Sequence, residues 1–229
     1  MNSIQQKILQ KLLYTPQMTY NALWDKNIRS NSFAYHIKSL EESNLIQKVE
    51  GAYSLTLKGK SLVTYMNGSS GEMTKQPLSV VILGAMDNDK ILLMKRTKEP
   101  FRDLWGLPGG KIEFSQFLSQ TAHDELFEET GLTGNISFKG LVHIHTYDTD
   151  SLAFSHLLHI ARVDNIKGTM KKEDKEGELA WFSLSEISQL EHIPDLPLLV
   201  EIITSTAFTI HEVNRYMEDG VCKRFEIVR

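Results

Sequence analysis

Between Trp105 and Leu132 the chain leaves itself few ways to fold. The stretch opens Trp105-Gly106-Leu107-Pro108-Gly109-Gly110, and Gly109-Gly110 admits backbone conformations and close approaches that a Cβ would forbid. Leu118, Ala122 and Leu126 then recur at four-residue intervals, the spacing of a helix that buries one stripe. Gly131 stands where such a helix is capped. On that helix Glu125, Glu128 and Glu129 occupy i, i+3 and i+4, with neighbouring Cβ atoms about 5–6 Å apart. Three carboxylates that close repel one another unless a cation lies among them. Hard oxygen ligands suit Mg²⁺ or Mn²⁺, which keep part of their water shell and bind phosphate oxygens. The pattern points to metal-assisted attack of water on a phosphate; the bland alternative is a solvated acidic helix face.

The surroundings favour the first reading. Residues 110–132 resemble the Nudix box, G-x5-E-x7-R-E-U-x-E-E-x-G-U with U a bulky aliphatic, and the lead-in Trp-Gly-Leu-Pro-Gly-Gly is similar to that family's. The resemblance implies an α/β/α sandwich with a mixed sheet over about residues 77–229. It also implies hydrolysis of a diphosphate linked to a further moiety, most simply a nucleotide derivative, with Mg²⁺ (or Mn²⁺) as cofactor. Glu125, Glu128, Glu129 and the Gly109 carbonyl are then the metal ligands. A further glutamate is expected ahead of Ala180-Trp181-Phe182, and Glu176 is the choice there over Glu178, although its charged loop also reads as plain solvated chain. Glu125, Glu129 and Glu176 are the catalytic candidates, with Glu125 or Glu176 taking the proton. Two positions depart from the box: Gln116 replaces its first Glu and Asp124 replaces its Arg. A Gln–Asp hydrogen bond can stand in for the family's ion pair, but Asp124 adds negative charge beside Glu128.

Charge divides the chain. Residues 1–68 carry a net +4 and the remainder a net −8, within an overall −4. A basic segment joined to an acidic one suggests that the first meets a polyanion. Met66-Asn67-Gly68-Ser69-Ser70-Gly71-Glu72 reads as a linker, so the expected division is 1–66, a linker over 67–77, and 78–229. In the first part Ile4, Ile8, Leu12 and Leu13 predict a helix to about Tyr14, and Thr19 can cap a short second one through Trp24. Ser30 or Asn31 can cap a third, which buries Phe33, Ile37 and Leu40. Strands over 45–50 and 53–57 and a helix over 58–65 complete the pattern. This order resembles a winged helix-turn-helix, as do the phrases around Phe33–Leu40 and Leu55–Gly59. The resemblance implies DNA as a partner, with Ser32, Tyr35, His36 and Ser39 near bases and Arg29, Lys38 and Lys48 on phosphates. A module used for dimerisation or protein contact is the alternative. The two parts together also fit a transcriptional regulator whose second domain senses a nucleotide metabolite with little or no hydrolysis.

Elsewhere, strands are expected over 79–83 and 90–95 about Asp87-Asn88-Asp89, over 141–147 and 154–161, and over 180–184. His143, His145 and Tyr147 share one strand face, but with no third soft ligand a zinc site is not favoured over a substrate wall or plain surface. Arg96, Phe114 and Tyr147 are the substrate-contact candidates. A lone Cys222 excludes an intramolecular disulfide, and the longest apolar stretch, Val80–Met86, is too short to span a bilayer. A cytoplasmic location is the expectation, and a homodimer is compatible with both domain types.

Overall fold

The computed structural model describes residues 1–228, and residue 174 by its backbone alone. The chain divides into two compact units, Met1–Gln76 and a second running from Pro77. In the first, α1 (Ser3–Tyr14) begins with a capping box in which the Asn2 and Gln5 side chains each accept from the other's backbone amide. β1 (Met18–Thr19) runs into α2 (Tyr20–Leu23), capped by the Thr19 hydroxyl as expected. α3 (Ser30–Glu42) differs: its N-cap is Arg29, one residue ahead of the expected Ser30 or Asn31, and no side chain bonds the first turn. β2 (Ile46–Val49) and β3 (Ala52–Leu55) form a hairpin around Glu50 and Gly51, both at positive φ, with β1 on the far side of β3. α4 (Leu57–Val63) follows. Ile8, Leu12, Phe33, Ile37, Leu40 and Ile46 close one core.

Residues 67–76, expected as a linker, fold back onto this unit. The Asn67 side chain accepts from the Ser69 and Ser70 amides, and Gly71 takes a positive φ. The Thr74 amide donates to the Tyr65 carbonyl, and Gln10 Nε2 donates to the carbonyls of Gly68 and Ser69. A Gly/Ser-rich composition permits a flexible tether but equally supplies a tight turn, and here the turn has partners.

The second unit is built on one mixed sheet. Its strands are β4 (Leu78–Asp87), β5 (Lys90–Arg96), β6 (Trp105–Gly106), β7 (Gly109–Lys111), β8 (Leu132–Asp148), β9 (Ser151–Gly168), β10 (Glu173–Asp174), β11 (Gly177–Ser183), β12 (Thr209–Glu218) and β13 (Val221–Ile227). They lie in the order β10-β11-β5-β4-β9-β8-β12-β13, with β6 beside β5 and β7 beside β4. β4–β9 and β8–β12 are parallel and the other pairs antiparallel. Helix α5 (Leu118–Thr130) follows β7, and α6 (Leu196–Thr204) precedes β12.

Alternation along β4 sends Val81, Leu83 and Ala85 to one face, where they meet Ala122 and Leu126 of α5. Val80 and Ile82 go to the other, against Leu199, Ile202 and Ile203 of α6 and Val142, Ile144 and Ile160. Each face thus has its own helix, the arrangement that lets the middles of β4 and β5 be apolar on both faces. No helix among the described residues is long and apolar enough to cross a membrane. Leu126 is 1% exposed at the centre of the α5 layer. Leu126→Ala is expected to lower the unfolding free energy by about 3 kcal/mol, read from urea denaturation; a loss under about 1 kcal/mol would show that α5 does not anchor this core.

Candidate functional site

Short range dictates how the carboxylates are placed. β7 pairs with β4 through Val81↔Gly110 and Ile82↔Gly109, which brings the glycines under α5. A Cβ on Gly109 would lie 2.1 Å from the Val81 carbonyl oxygen, and one on Gly110 would lie 1.9 Å from Glu125 Oε1. At Gly109 the obstacle is backbone and only glycine fits; at Gly110 a side chain would push the Glu125 carboxylate from its place. The Gly109 amide donates to Glu129 Oε2 at 2.8 Å. Gly131 ends the helix at φ 74°, its amide donating to the Phe127 carbonyl.

Glu129 is 5% exposed, and its carboxyl is pushed up to about 7. Burial is the main cause; the charges of Glu125 and Glu176 add to it, while the Gly109 amide and Lys98 oppose it. Glu125 is raised too, by burial first and then by Glu128, Glu176 and Asp124, against Lys98. The four glutamates picked from the sequence therefore share one electrostatic site. Glu128 is the exposed member, and its backbone carbonyl accepts from Lys171 Nζ.

Glu176 arrives from the chain just before β11 and forms an ion pair with Lys98. The two are drawn together because the Thr97 amide donates to the Glu176 carbonyl at 3.0 Å and Thr97 Oγ1 to the Lys175 carbonyl at 3.0 Å. Lys98 is a site residue that sequence reasoning overlooked. Nothing in its local sequence marks it, since its partner lies 78 residues away.

The altered box positions meet as expected. Gln116 Nε2 donates to Asp124 Oδ2 at 3.2 Å, and Thr121 Oγ1 donates to Gln116 Oε1 at 3.2 Å. An amide bonded to a carboxylate thus ties the loop to the helix where the family pattern has an ion pair. Among the described residues no three His, Cys, Asp or Glu side chains are already gathered around one point as metal ligands. Glu129 is turned onto the Gly109 amide and Glu176 onto Lys98. The donor set still suits a hard divalent cation: four carboxylates share one locality, and two of them, Glu125 and Glu129, are raised by burial first and then by neighbouring carboxylates.

The substrate-contact candidates are scattered. Phe114 is 92% exposed on the loop before α5. Arg96 Nε donates to the Pro100 carbonyl at 3.0 Å, so it braces the loop after β5. Tyr147 stacks on Tyr216 with ring centroids 5.2 Å apart. It lies three strands from β7 and six residues beyond Leu141, the residue in line with Gly110, which puts it roughly 20 Å or more from the glutamates. The sheet register thus removes Tyr147 from the immediate site. His143 and His145 do share its face, with His143 Nε2 3.1 Å from Ser155 Oγ.

In the first unit Ser32, Tyr35 and Lys38 are exposed on α3, with Arg29 ahead of it and Lys48 on β2. His36 and Ser39 are not on that face. His36 is buried with Nδ1 3.3 Å from Asn2 Nδ2, and Ser39 Oγ accepts from Gln5 Nε2 at 3.1 Å. Both residues pack α3 against the start of α1. Helical periodicity placed them one position too far around the helix.

A family model described as the NUDIX domain matches residues 75–201. The chain is 32% identical over 114 residues to the ADP-ribose pyrophosphatase of Methanocaldococcus jannaschii, a match covering 49% of this chain and 66% of that protein. It is 29% identical over 147 residues to the ADP-ribose pyrophosphatase of Bacillus subtilis, covering 60% of this chain and 74% of that one. Among solved structures, the MutT mutator protein of Bacillus halodurans superposes with a TM-score of 0.57 at 24% identity, covering 66% of this chain and 97% of that one. That likeness concerns the fold.

The carboxyl of Glu129 makes metal-free stability depend on pH. Its folded value lies near 7 against 4.5 for the free group, so the protonated form favours folding. That contribution is complete below about pH 4.5 and is lost as pH rises through about 7. In chelator, Glu129→Gln is expected to exceed the parent in stability at high pH, by about 3 kcal/mol, with the gap closing on acidification. Urea denaturation at the two ends of that range measures it. An equal pH dependence in both proteins would reject the assignment to Glu129.

Proposed function

The chain belongs to the Nudix family, and from that premise we propose that it hydrolyses the phosphoric anhydride bond of a diphosphate joining a nucleoside to a second moiety. ADP-ribose, the compound in the names of both relatives, is the leading substrate class. The observation that carries the reading is the crowding of Glu125, Glu129 and Glu176 over Gly109 and Gly110, with one carboxyl raised to about 7 in the absence of metal.

Glu125, Glu128, Glu129 and the Gly109 carbonyl are the groups that would hold Mg²⁺ or Mn²⁺. Such an ion supplies charge neutralisation on the diphosphate and lowers the pKa of an attacking water. The remaining steps belong to the chain. Binding a cation requires Glu129 to give up its proton, so affinity falls as pH drops below about 7. Glu125 or Glu176, the latter paired with Lys98, would take the proton of the attacking water as its oxygen bonds to phosphorus and the anhydride P–O bond breaks. Lys98 can then pair with the departing phosphate oxygens. Gln116 and Asp124 keep the loop against α5 without contributing a positive charge.

The exposed α3 face of the first unit supports a DNA-binding role, with Tyr35, Ser32 and Lys38 toward bases and backbone and Arg29 and Lys48 on phosphates. The order α1-β1-α2-α3-β2-β3-α4, with the hairpin after the third of four helices, supports the winged-helix reading. One observation favours a regulatory second reading: the Asp124 charge, after burial, Glu128 and Glu176, helps to raise the Glu125 carboxyl, which works against the ionised form that metal-assisted turnover needs. On that reading metabolite and DNA shift each other's affinity by the same factor.

Two measurements test these roles. Across a panel of nucleoside diphosphate derivatives with Mg²⁺, one compound is expected to turn over, and Glu128→Gln/Glu129→Gln to lower that rate by more than the roughly 10–100-fold typical of losing an outer metal-site partner. A double variant of undiminished activity would sink the mechanism. For DNA, Lys48→Ala is expected to weaken binding about equally across sequences and to reduce the salt slope by about 1, read by fluorescence anisotropy. No measurable DNA binding by the intact protein would leave the hydrolase reading alone.

A further inference from the structure

β13 ends the sheet of the second unit with an open edge. Among the described residues it pairs with β12 and with no other strand. β12 itself is held from beneath. Its Arg215 is 6% exposed and forms a buried ion pair with Asp195, the residue just before α6, and the Phe101 ring covers the guanidinium at 4.8 Å from the ring centre. At the opposite end of the sheet β10 is two residues long and offers little backbone to pair with. β13 runs from Val221 to Ile227 without a proline, and Val221, Ile227 and Val228 are each more than half exposed.

Register shows which backbone groups are left over. Val213 lies opposite Ile227, Asn214 opposite Glu226, Arg215 opposite Phe225 and Tyr216 opposite Arg224. Just beyond them the Val228 amide donates to the Glu212 carbonyl at 2.7 Å. Opposed residues of an antiparallel pair alternate between those that exchange both backbone bonds and those that exchange none. Val228 is of the first kind, so Glu226 and Arg224 are as well. Phe225 and Ile227 therefore turn their N–H and C=O groups away from β12, into the open edge. An unpaired row of this kind is a template for another strand, and proteins commonly blunt it with a bulge or a lysine. β13 has both at Lys223, the extra residue between the Tyr216–Arg224 and Met217–Cys222 pairs. They protect its start and leave the run from Arg224 to Val228 open.

Side chains along that run select the partner. Arg224 and Glu226 share one face, and Phe225 between them lies on the other, against the core beneath α6. Centring a two-fold axis on Arg224 or on Glu226 would set like charges directly opposite each other, which is unfavourable. Centring it on Phe225 lets each Phe225 N–H donate to the other copy's Phe225 carbonyl. Arg224 then stands opposite Glu226 of the second copy, and Glu226 opposite Arg224 of the second copy. Within one chain Arg224 Nη1 already lies 3.2 Å from Glu226 Oε1, so the four charges form one alternating group. Opposite charges on either side of an apolar centre make the strand complementary to itself, which a closed two-fold contact requires.

We propose that the β13 edge is a self-recognition surface, which pairs antiparallel with β13 of a second copy of this chain about a two-fold axis at Phe225. The sheet then continues from one copy into the next. This surface lies beyond the stretch matched by the family model and does not depend on the hydrolase reading.

The test is amide hydrogen exchange of the full chain, read residue by residue by NMR at low and high protein concentration, beside sedimentation equilibrium. A concentration-dependent dimer is expected. On dimerisation the Phe225 amide is expected to slow by about tenfold or more, while the Arg224 and Glu226 amides, already bonded to β12, change far less. Arg224→Glu is expected to weaken the dimer about tenfold, because both symmetry-related pairs turn from attraction to repulsion. Arg224→Glu/Glu226→Arg, which exchanges the two charges, is expected to restore it, and that recovery excludes a folding defect as the cause of the first loss. A chain that is monomeric throughout, or a dimer whose Phe225 amide exchanges at an unchanged rate, overturns the proposal. So does a double variant that associates no better than the single one.

Discussion

The close approach of α5 to β7 is the constraint on which the rest of the second unit depends. Side-chain volume at Gly109 or Gly110 would collide with the Val81 carbonyl or the Glu125 carboxylate. Without that contact Glu129 loses the Gly109 amide, and the carboxylates have no fixed floor. The apolar side of the same helix, Ala122 and Leu126, is what pulls it down onto Val81 and Leu83. Hydrophobic burial thus forces charged groups into a space they would otherwise leave, and the raised carboxyls record the cost.

Loops complete what the helix begins. The turn after β5 is pinned at its base by the Asp103 amide donating to the Arg96 carbonyl and by Arg96 Nε on Pro100. One short segment therefore presents Lys98 to the glutamates and Phe101 to Arg215. The segment before α6 is tied to β6 through the Trp105 amide and the Glu191 carbonyl, which sets Asp195 on the same side. Backbone bonds between loops distant in sequence thus hold both contacts of this segment in place.

What could be read in advance follows from range. The glutamate helix, its glycine entry and its Gly131 cap are encoded within a few residues of one another and were legible. So was the Gln116–Asp124 contact, eight residues apart. The long strands β8 and β9 were expected as 141–147 and 154–161, because register shifts near Gly140 and Thr133 break the alternation that marks a strand. α6 and the β12–β13 hairpin were missed altogether. α6 has no side-chain cap, and nothing local announces that β12 will run parallel to β8. Lys98, Asp195 and Arg215 share that difficulty, being paired by the fold alone. His36 failed for another reason: a helix face read from one sequence does not show that α1 starts directly above it.

The Gln116–Asp124 bond also imposes a direction on how this sequence could have changed. With Asp124 in place, Gln116→Glu would set two carboxylates against each other beside Glu125 and Glu128. Asp124→Arg with Gln116 retained would instead bring a cation to an amide that can accept from it. A path back to the charged pair of the box is therefore open through position 124 first and obstructed through position 116 first. Comparing the stability of the two single variants, Gln116→Glu and Asp124→Arg, would measure that difference.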